Sequence, residues 1–175
     1  MRLLSLLLLC LSCSRPVSTV GATSTIYTAG VGPQATLDLT REDLTRSIRV
    51  RAARDKVWAA LWAAHQTIGM PVAETSDKTW KASYLQKHAR SISGKRLSTY
   101  FRCGRTSFGE RADSYDMTVR VNEELEDAQP NVTDVRVTVV AWARSDAMSG
   151  DPIPCESTGA LEKLIADELY TQLKP

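Results

Sequence analysis

Histidine, long apolar runs and catalytic motifs are all scarce in this chain of 175 residues. It has two histidines, His65 and His88, and it lacks the GxSxG, HExxH and Walker-type patterns of common hydrolase, metalloprotease and nucleotide sites. No internal stretch approaches the roughly 20 apolar residues of a membrane-spanning helix, which excludes a polytopic membrane protein. Because 43% of the residues are hydrophobic and 24% are charged, the composition is globular and excludes wholesale disorder, collagen and a coiled-coil rod.

A secretion leader is predicted at residues 1–13, where Arg2 precedes a leucine-dominated run over residues 3–11. The small residue Ser12 directly before Cys13 resembles the lipobox of bacterial lipoproteins, in which this cysteine is acylated and becomes the mature N-terminus. The alternative is an ordinary signal peptide cut near Ala22. The lipobox resemblance implies a lipid-anchored protein of the bacterial cell envelope, at the periplasmic face of the outer membrane, because several acyl chains anchor a protein stably.

A flexible tether is predicted at residues 14–40, which are rich in Ser, Thr, Gly, Ala and Pro and carry almost no charge. A strand within residues 24–27 is left open. The remaining residues, 41–175, are long enough to build one real hydrophobic core, so they are predicted to form a single folded domain.

Four cysteines divide between the leader and the folded domain. Cys10 leaves with the leader and Cys13 carries lipid, so Cys103 and Cys155 remain as a pair in an oxidising compartment. A disulfide between them is the predicted use, and it closes a loop of 52 residues. The alternative is metal binding or redox chemistry, but the chain has no CxxC pair and few histidines. No metal and no cofactor are therefore expected.

Apolar periodicity gives the order of elements in the domain. Residues 85–94 are predicted to be a polar, basic loop, and the acidic run at residues 123–131 is predicted to be a solvated hairpin turn. Helices are predicted at residues 54–68, ended by Gly69 and Pro71, and at residues 157–173. Strands are predicted at residues 47–51, 70–74, 79–84, 97–103, 111–122 and 132–144. This order predicts an α+β domain with an antiparallel sheet of about five to six strands and two helices packed on one face.

Three short segments, at residues 56–61, 68–72 and 77–82, resemble the helix-grip repeat of the barrel-assembly lipoprotein C family: a helix ending in Gly, a strand, a polar turn and a second strand. This resemblance implies a helix-grip fold on a lipid-anchored tether. That family has two grip domains and a long tether that contacts its assembly partner, whereas this chain has room for one domain. The Lys56-Val57-Trp58 opening also resembles ligand-carrying helix-grip proteins related to the steroidogenic lipid-transfer domain, which implies a cavity closed by a long terminal helix.

The tryptophans have two interpretations. They pack in the core, which is the favoured interpretation, or they line an apolar ligand cavity between helix and sheet. The residues concerned are Trp58, Trp62, Trp80 and Trp142.

Charge is distributed unevenly along the chain. Residues 41–111 hold fifteen Lys or Arg against six Asp or Glu, and residues 112–175 hold five against thirteen. The favoured interpretation is that the two halves neutralise one another across neighbouring strands. The alternative is a basic patch toward anionic lipid, glycan or an acidic protein. This patch consists of Lys87, Arg90, Lys95, Arg96, Arg102, Arg105 and Arg111.

A non-enzymatic role follows from the residues available for chemistry. His65 falls on or beside the apolar face of the first helix and is expected to be a packed histidine, and His88 is expected to be a solvated residue of the basic loop. We therefore expect a lipid-anchored envelope protein with a binding or accessory, assembly-related role. The alternative is a carrier of a small apolar ligand between the terminal helix and the sheet. The expected partners are the membrane, through the lipid, and an envelope protein or a small apolar ligand; nucleic acid is not expected.

Overall fold

The structure, a computed structural model, describes residues 36–38, 45–145 and 151–174. The leader, Cys13 and the open strand at residues 24–27 lie outside these residues. Three α-helices are present: α1 (Arg54–Ile68), α2 (Arg111–Ser114) and α3 (Ala160–Leu173); a 3-10 helix spans Leu97–Thr99. The strands are β1 (Thr36–Asp38), β2 (Thr45–Val50), β3 (Val72–Ser76), β4 (Lys81–Ala89), β5 (Ser91–Ile92), β6 (Lys95–Arg96), β7 (Phe101–Arg102), β8 (Arg105–Thr106), β9 (Gly109–Glu110), β10 (Asp116–Gln129), β11 (Val132–Arg144) and β12 (Ile153–Ser157).

An antiparallel sheet with the order β1-β2-β11-β10-β4-β3 organises the fold. Strand β12 also pairs with β11 and with β7, which brings the sheet to eight strands. The α+β class and the antiparallel sheet are as predicted, but the expected count of five to six strands is too low. The additional strands include β1, which falls within the predicted tether. β1 has three residues and pairs with β2, and β12 has five residues and pairs with β11 and β7, so both are too short for local periodicity to reveal them.

The β10–β11 hairpin forms the centre of the sheet, and its side chains alternate between a buried face and a more exposed face. Along β10 the residues Met117, Val119, Val121, Glu123 and Leu125 are buried on one face, while the residues between them are more exposed. Because side chains in a strand alternate between faces, this sequence gives one apolar face and one polar face. The apolar face packs against the helical layer of the core.

Helix α1 has the predicted bounds. Its buried face is set by Val57, Leu61 and Ile68 at helical spacing. Gly69 ends the helix with φ +76°, and its N–H donates to the Gln66 carbonyl at 3.2 Å. Glycine suits this left-handed position because it has no Cβ to clash with the backbone.

Helix α3 packs against α1 and also contacts β11. Its buried face is formed by Leu161, Ile165 and Leu169, each with 0% exposure. Gly159 precedes the helix with φ +87°, and a Cβ there would lie 2.8 Å from Arg46 Nη1. Both the backbone angle and the close guanidinium therefore require glycine at this position.

Three sequence predictions are wrong in the segment before the central hairpin. Residues 85–94 are not a loop, because β4 continues to Ala89 beside β10 and is followed by β5. Residues 97–103 form a 3-10 helix and the two-residue strand β7 instead of one long strand. Residues 111–114 form α2, so β10 begins only at Asp116. Pairing with β10 and β12 overrides the local pattern in the first two cases. Helix α2 is instead held by contacts within the same segment, including the hydrogen bond from Ser98 to Asp113.

Candidate functional site

Residues 90–115, here called the basic lobe, form a compact excursion between β4 and β10. The predicted disulfide between Cys103 and Cys155 is present, with a Cα–Cα distance of 4.3 Å, and it joins this lobe to β12. Within the lobe, Ser98 Oγ donates to Asp113 Oδ2 at 2.7 Å. The Thr158 N–H donates to the Tyr100 carbonyl at 2.8 Å, next to the start of α3. The lobe is therefore fixed to the domain at several points.

The basic lobe contains most of the predicted basic patch. Arg90, Lys95, Arg96, Arg102 and Arg105 are all exposed, whereas Lys87 lies in β4, just before the lobe. Arg105 Nε lies 3.1 Å from Glu110 Oε1 across the β8–β9 hairpin. Arg111 is half-buried, with its guanidinium 6.0 Å from the centre of the Tyr115 ring.

The favoured interpretation, neutralisation across neighbouring strands, describes part of the fold. Among the described residues, ion pairs join the basic half to the acidic half at Arg46 and Glu162, Arg49 and Asp134, Arg54 and Asp127, and Lys81 and Glu124. In the part of the chain that the structure describes, Lys95, Arg96 and Arg102 form no salt bridge. The basic lobe, with six Lys or Arg against two Asp or Glu, therefore keeps an excess of positive charge.

Phe108 is the most exposed large hydrophobic residue in the described chain, at 95% exposure. It sits at the tip of the β8–β9 hairpin, where Thr106 Oγ1 accepts from the Phe108 N–H at 3.1 Å and donates to the Gly109 carbonyl at 3.3 Å. Gly109 has φ +129°, a backbone conformation that only glycine adopts readily. Phe108 could not be predicted as a site from the sequence, because a lone aromatic in a Ser-Phe-Gly turn has no periodic signal.

A buried polar cluster lies between α1 and the sheet. His65 Nε2 is 2.8 Å from Glu123 Oε1, and the His65 ring stacks on Tyr84 with 3.5 Å between ring centres. His65 is a packed histidine, as expected. The predicted solvated turn around Glu123 is wrong, because β10 extends through Gln129 and places Glu123 inward, at 2% exposure.

Three polar atoms of this cluster have no hydrogen-bond partner among the described residues: His65 Nδ1, Glu123 Oε2 and the Tyr84 hydroxyl. Burial, and to a smaller extent the Glu123 carboxylate, raises the pKa of Tyr84 above its ordinary value. All three side chains are closed off from solvent. The cluster therefore connects α1 to β10.

Three of the four tryptophans contact one another: Trp58 and Trp62 on α1, and Trp80 directly before β4. Trp58 contacts Trp62 and Trp80 edge to face, with 6.3 Å and 5.8 Å between ring centres. Trp58 Nε1 donates to Asp77 Oδ1 at 3.1 Å. Trp142 lies on the opposite face of the sheet, between the buried Ala141 and Ala143. The four residues therefore do not line one cavity.

An open polar groove of about 830 Å³ crosses the outward-facing side of the sheet; we call it the sheet groove. Its middle is a transverse row on neighbouring strands, in which Thr45 faces Thr138, Thr138 faces Asn122 and Asn122 faces Ser83. The Thr45 and Thr138 hydroxyls are 2.8 Å apart. Charged residues flank this row: Glu74, Lys81, Glu124 and Arg136.

A smaller cavity of about 340 Å³ lies where α1 begins, and Leu173 at the end of α3 contributes to it.

The described residues contain no group of three His, Cys, Asp or Glu side chains placed to hold a metal ion. His88 is exposed, and its Nδ1 lies 2.9 Å from Asp116 Oδ1. It belongs to strand β4, because the segment predicted to be a loop is a strand at this position.

Neither a protein-family model nor a curated protein matches this chain. Over the residues described, the structure has no helix both long enough and apolar enough to cross a membrane.

Proposed function

We propose that this chain is a lipid-anchored, non-enzymatic protein of the bacterial envelope whose domain binds a protein partner in an accessory role. In this proposal the domain is of the helix-grip type, with α1 and α3 on one face of the sheet. Support for the arrangement comes from the contact between α1 and α3. Their buried residues also join the same core as the inward-facing residues of β10 and β11.

The sheet groove is the observation that carries the binding role. It is wide, open and polar, and it reaches β3, which ends the sheet order and pairs with β4. Residues 72–75 of β3 are exposed. An exposed edge strand can accept an extended segment of a partner through main-chain hydrogen bonds, and the neighbouring groove can then select its side chains.

Site-specific photo-crosslinking in cells that make the protein tests this role. A crosslinker at Asn122 or Thr138 should give an adduct with one envelope protein, identified by mass spectrometry. The matched control is Thr171, an exposed threonine on α3. Adducts that form equally at Thr171, or no adduct at either groove position, would contradict the proposal.

The lipid anchor has a separate test, because it depends on Cys13 alone. Replacing Cys13 with Ser should move the protein out of the membrane fraction when that fraction is washed with high salt. Continued association with the membrane after the wash would refute acylation at this residue.

The alternative function, a carrier of a small apolar ligand, has weaker support from the described geometry. The space between α3 and the sheet is filled by Leu161, Ile165 and Leu169, and three tryptophans pack on one another. Native mass spectrometry of protein extracted from its own membrane separates the two functions. A bound small molecule at one-to-one stoichiometry would favour the carrier, and a co-purifying protein would favour the accessory role.

A further inference from the structure

We propose that the basic lobe docks on an anionic phospholipid surface, with the Phe108 ring inserted among the lipid headgroups and the lobe's exposed cations against the lipid phosphates. This inference concerns a different surface from the sheet groove. It does not depend on the groove having a partner, nor on acylation of Cys13.

Phe108 is held away from the core and exposed to solvent. Its ring is at the tip of a two-stranded hairpin, 95% exposed, with both sides of the turn closed by Thr106 Oγ1. Elsewhere in the described chain the other exposed large hydrophobic residue is Val72, at 39%. A phenylalanine held this far from the core gains from entering an apolar phase, and the headgroup boundary accepts aromatic rings well.

The lobe that carries this ring also has an excess of positive charge. The lobe holds six Lys or Arg against two Asp or Glu. Lys95, Arg96 and Arg102 are exposed and have no acidic partner in the described residues. Exposed cations and an apolar anchor in one segment are the composition that anionic membranes attract.

The backbone of the basic lobe is fixed at several points. The disulfide from Cys103 fixes the strand that leads into the hairpin, and Ser98 holds α2 through Asp113. The Tyr100 hydroxyl donates to the Ile92 carbonyl at 3.1 Å, which fixes the β5–β6 hairpin against the 3-10 helix. The backbone that carries Phe108 and the cations is therefore held before binding, which limits the conformational entropy lost on docking to the side chains.

A lipid surface fits these features better than a protein does. Stable protein interfaces bury roughly 800 Å² on each partner and combine several apolar anchors with a shaped surface. The lobe offers one ring and several long cationic side chains. Such a set needs no shape complementarity, because lipid headgroups rearrange around it.

Vesicle co-sedimentation tests the proposal with a chain that begins at Ser14, so that neither leader nor lipid contributes. Every described residue lies after position 35, and a melting temperature equal to that of the full-length protein shows that the shorter chain is folded. It should bind vesicles containing phosphatidylglycerol more tightly than vesicles of pure phosphatidylcholine. High salt should weaken this binding.

The variants separate the two contributions. Phe108→Ser should weaken binding about tenfold, the effect of withdrawing one partly inserted aromatic ring, while Val72→Ser, at the other exposed hydrophobic position, should not. Lys95→Glu and Arg96→Glu should each weaken binding about fivefold or more, since each removes a cation near the surface. The matched control is Lys78→Glu, an exposed lysine in the β3–β4 turn.

Four results would overturn the docking. These are equal binding to the two kinds of vesicle, unchanged binding by Phe108→Ser, an equal loss with the control variants, and capture of the lobe by an acidic protein without any vesicle binding. None of them bears on crosslinking from Asn122 or Thr138, so failure of the docking and failure of the proposed function are distinguishable.

Discussion

His65 Nε2 lies 2.8 Å from Glu123 Oε1, and the two side chains, 58 residues apart in sequence, are almost completely buried between α1 and β10. Their neighbours in the core are apolar, apart from the hydroxyl of Tyr84. A buried polar pair contributes little net stability compared with apolar side chains of similar size, but breaking it is costly. Its effect is to fix where α1 sits along the sheet.

A double-mutant cycle measures this pair. Glu123→Leu should lower the free energy of unfolding by about 1–3 kcal/mol, because it leaves the buried His65 ring without its partner. His65→Leu should cost a similar amount for the same reason. The double variant should lose less than the sum of the two single losses, since no polar partner remains unsatisfied. Glu123→Gln is the control that keeps the size of the side chain. Additive losses in urea denaturation would show that the two groups are not coupled.

The hydroxyl of Tyr84 should be dispensable. It is buried and has no partner among the described residues, so Tyr84→Phe should leave the free energy of unfolding at pH 7 unchanged or raise it by up to about 1 kcal/mol. Tyr170→Phe is the contrast, because the Tyr170 hydroxyl donates to the Arg49 carbonyl at 3.2 Å. That variant should be less stable than the parent protein. A clear loss from Tyr84→Phe would mean that the hydroxyl has a partner.

Tyr84 also predicts an alkaline dependence of stability. Its pKa in the folded protein is raised by burial and by the Glu123 carboxylate, while the unfolded chain titrates near the ordinary value of about 10. Above pH 10 the unfolded state therefore releases a proton that the folded state keeps. The stabilisation is complete below pH 10 and is lost as the pH rises, with a slope of up to about 1.4 kcal/mol per pH unit. Tyr84→Phe should flatten this part of the stability curve; an unchanged slope would contradict the shift.

The disulfide between Cys103 and Cys155 should make a large contribution to stability. It closes a loop of 52 residues, for which the chain-entropy relation gives about 4 kcal/mol. A double replacement of both cysteines with alanine, or reduction of the parent protein, should therefore lower the melting temperature by roughly 10–20 °C. Both measurements should agree. Mass spectrometry that finds both thiols free in the secreted protein would refute the bridge.

Gly159 should tolerate alanine poorly, for two separable reasons. Its φ of +87° costs a residue with a Cβ about 1–2 kcal/mol. The new Cβ would also displace the Arg46 guanidinium, which pairs with the buried Glu162 at 3.3 Å. Gly94→Ala is the matched control, with φ +71° and open space around the Cβ position. Gly159→Ala should cost about 1 kcal/mol more than Gly94→Ala; equal losses would show that Arg46 moves aside freely.

Local patterns predicted the elements that depend on local information. Helix α1 has apolar residues at helical spacing and ends at Gly69, so its bounds could be predicted from the sequence. Strand β11 alternates apolar and polar residues along its length, so it too was predicted. The second half of β4 was not, since Gln86, Lys87 and His88 are polar residues typical of a loop. Pairing with β10, which is distant in sequence, makes them a strand.

The inward position of Glu123 is encoded in the alternation of residues along β10. Val119, Val121, Glu123 and Leu125 are spaced by two, so the alternation alone places Glu123 on the buried face. The surrounding acidic residues pointed instead to a turn. The sheet groove could not have been predicted in this way, because its row of Thr45, Ser83, Asn122 and Thr138 comes from four separate strands whose order is set by the fold.

The position of the two bridged cysteines has a kinetic consequence. Cys103 precedes β10 and Cys155 follows β11, so the disulfide loop encloses the whole central hairpin. When that hairpin closes, Asp116 comes opposite Arg144 and the two flanking segments emerge side by side. Contacts close in sequence form fastest, because less loop entropy is lost. Oxidation should then follow hairpin closure: once β10 and β11 have paired, the correct thiols are already near each other.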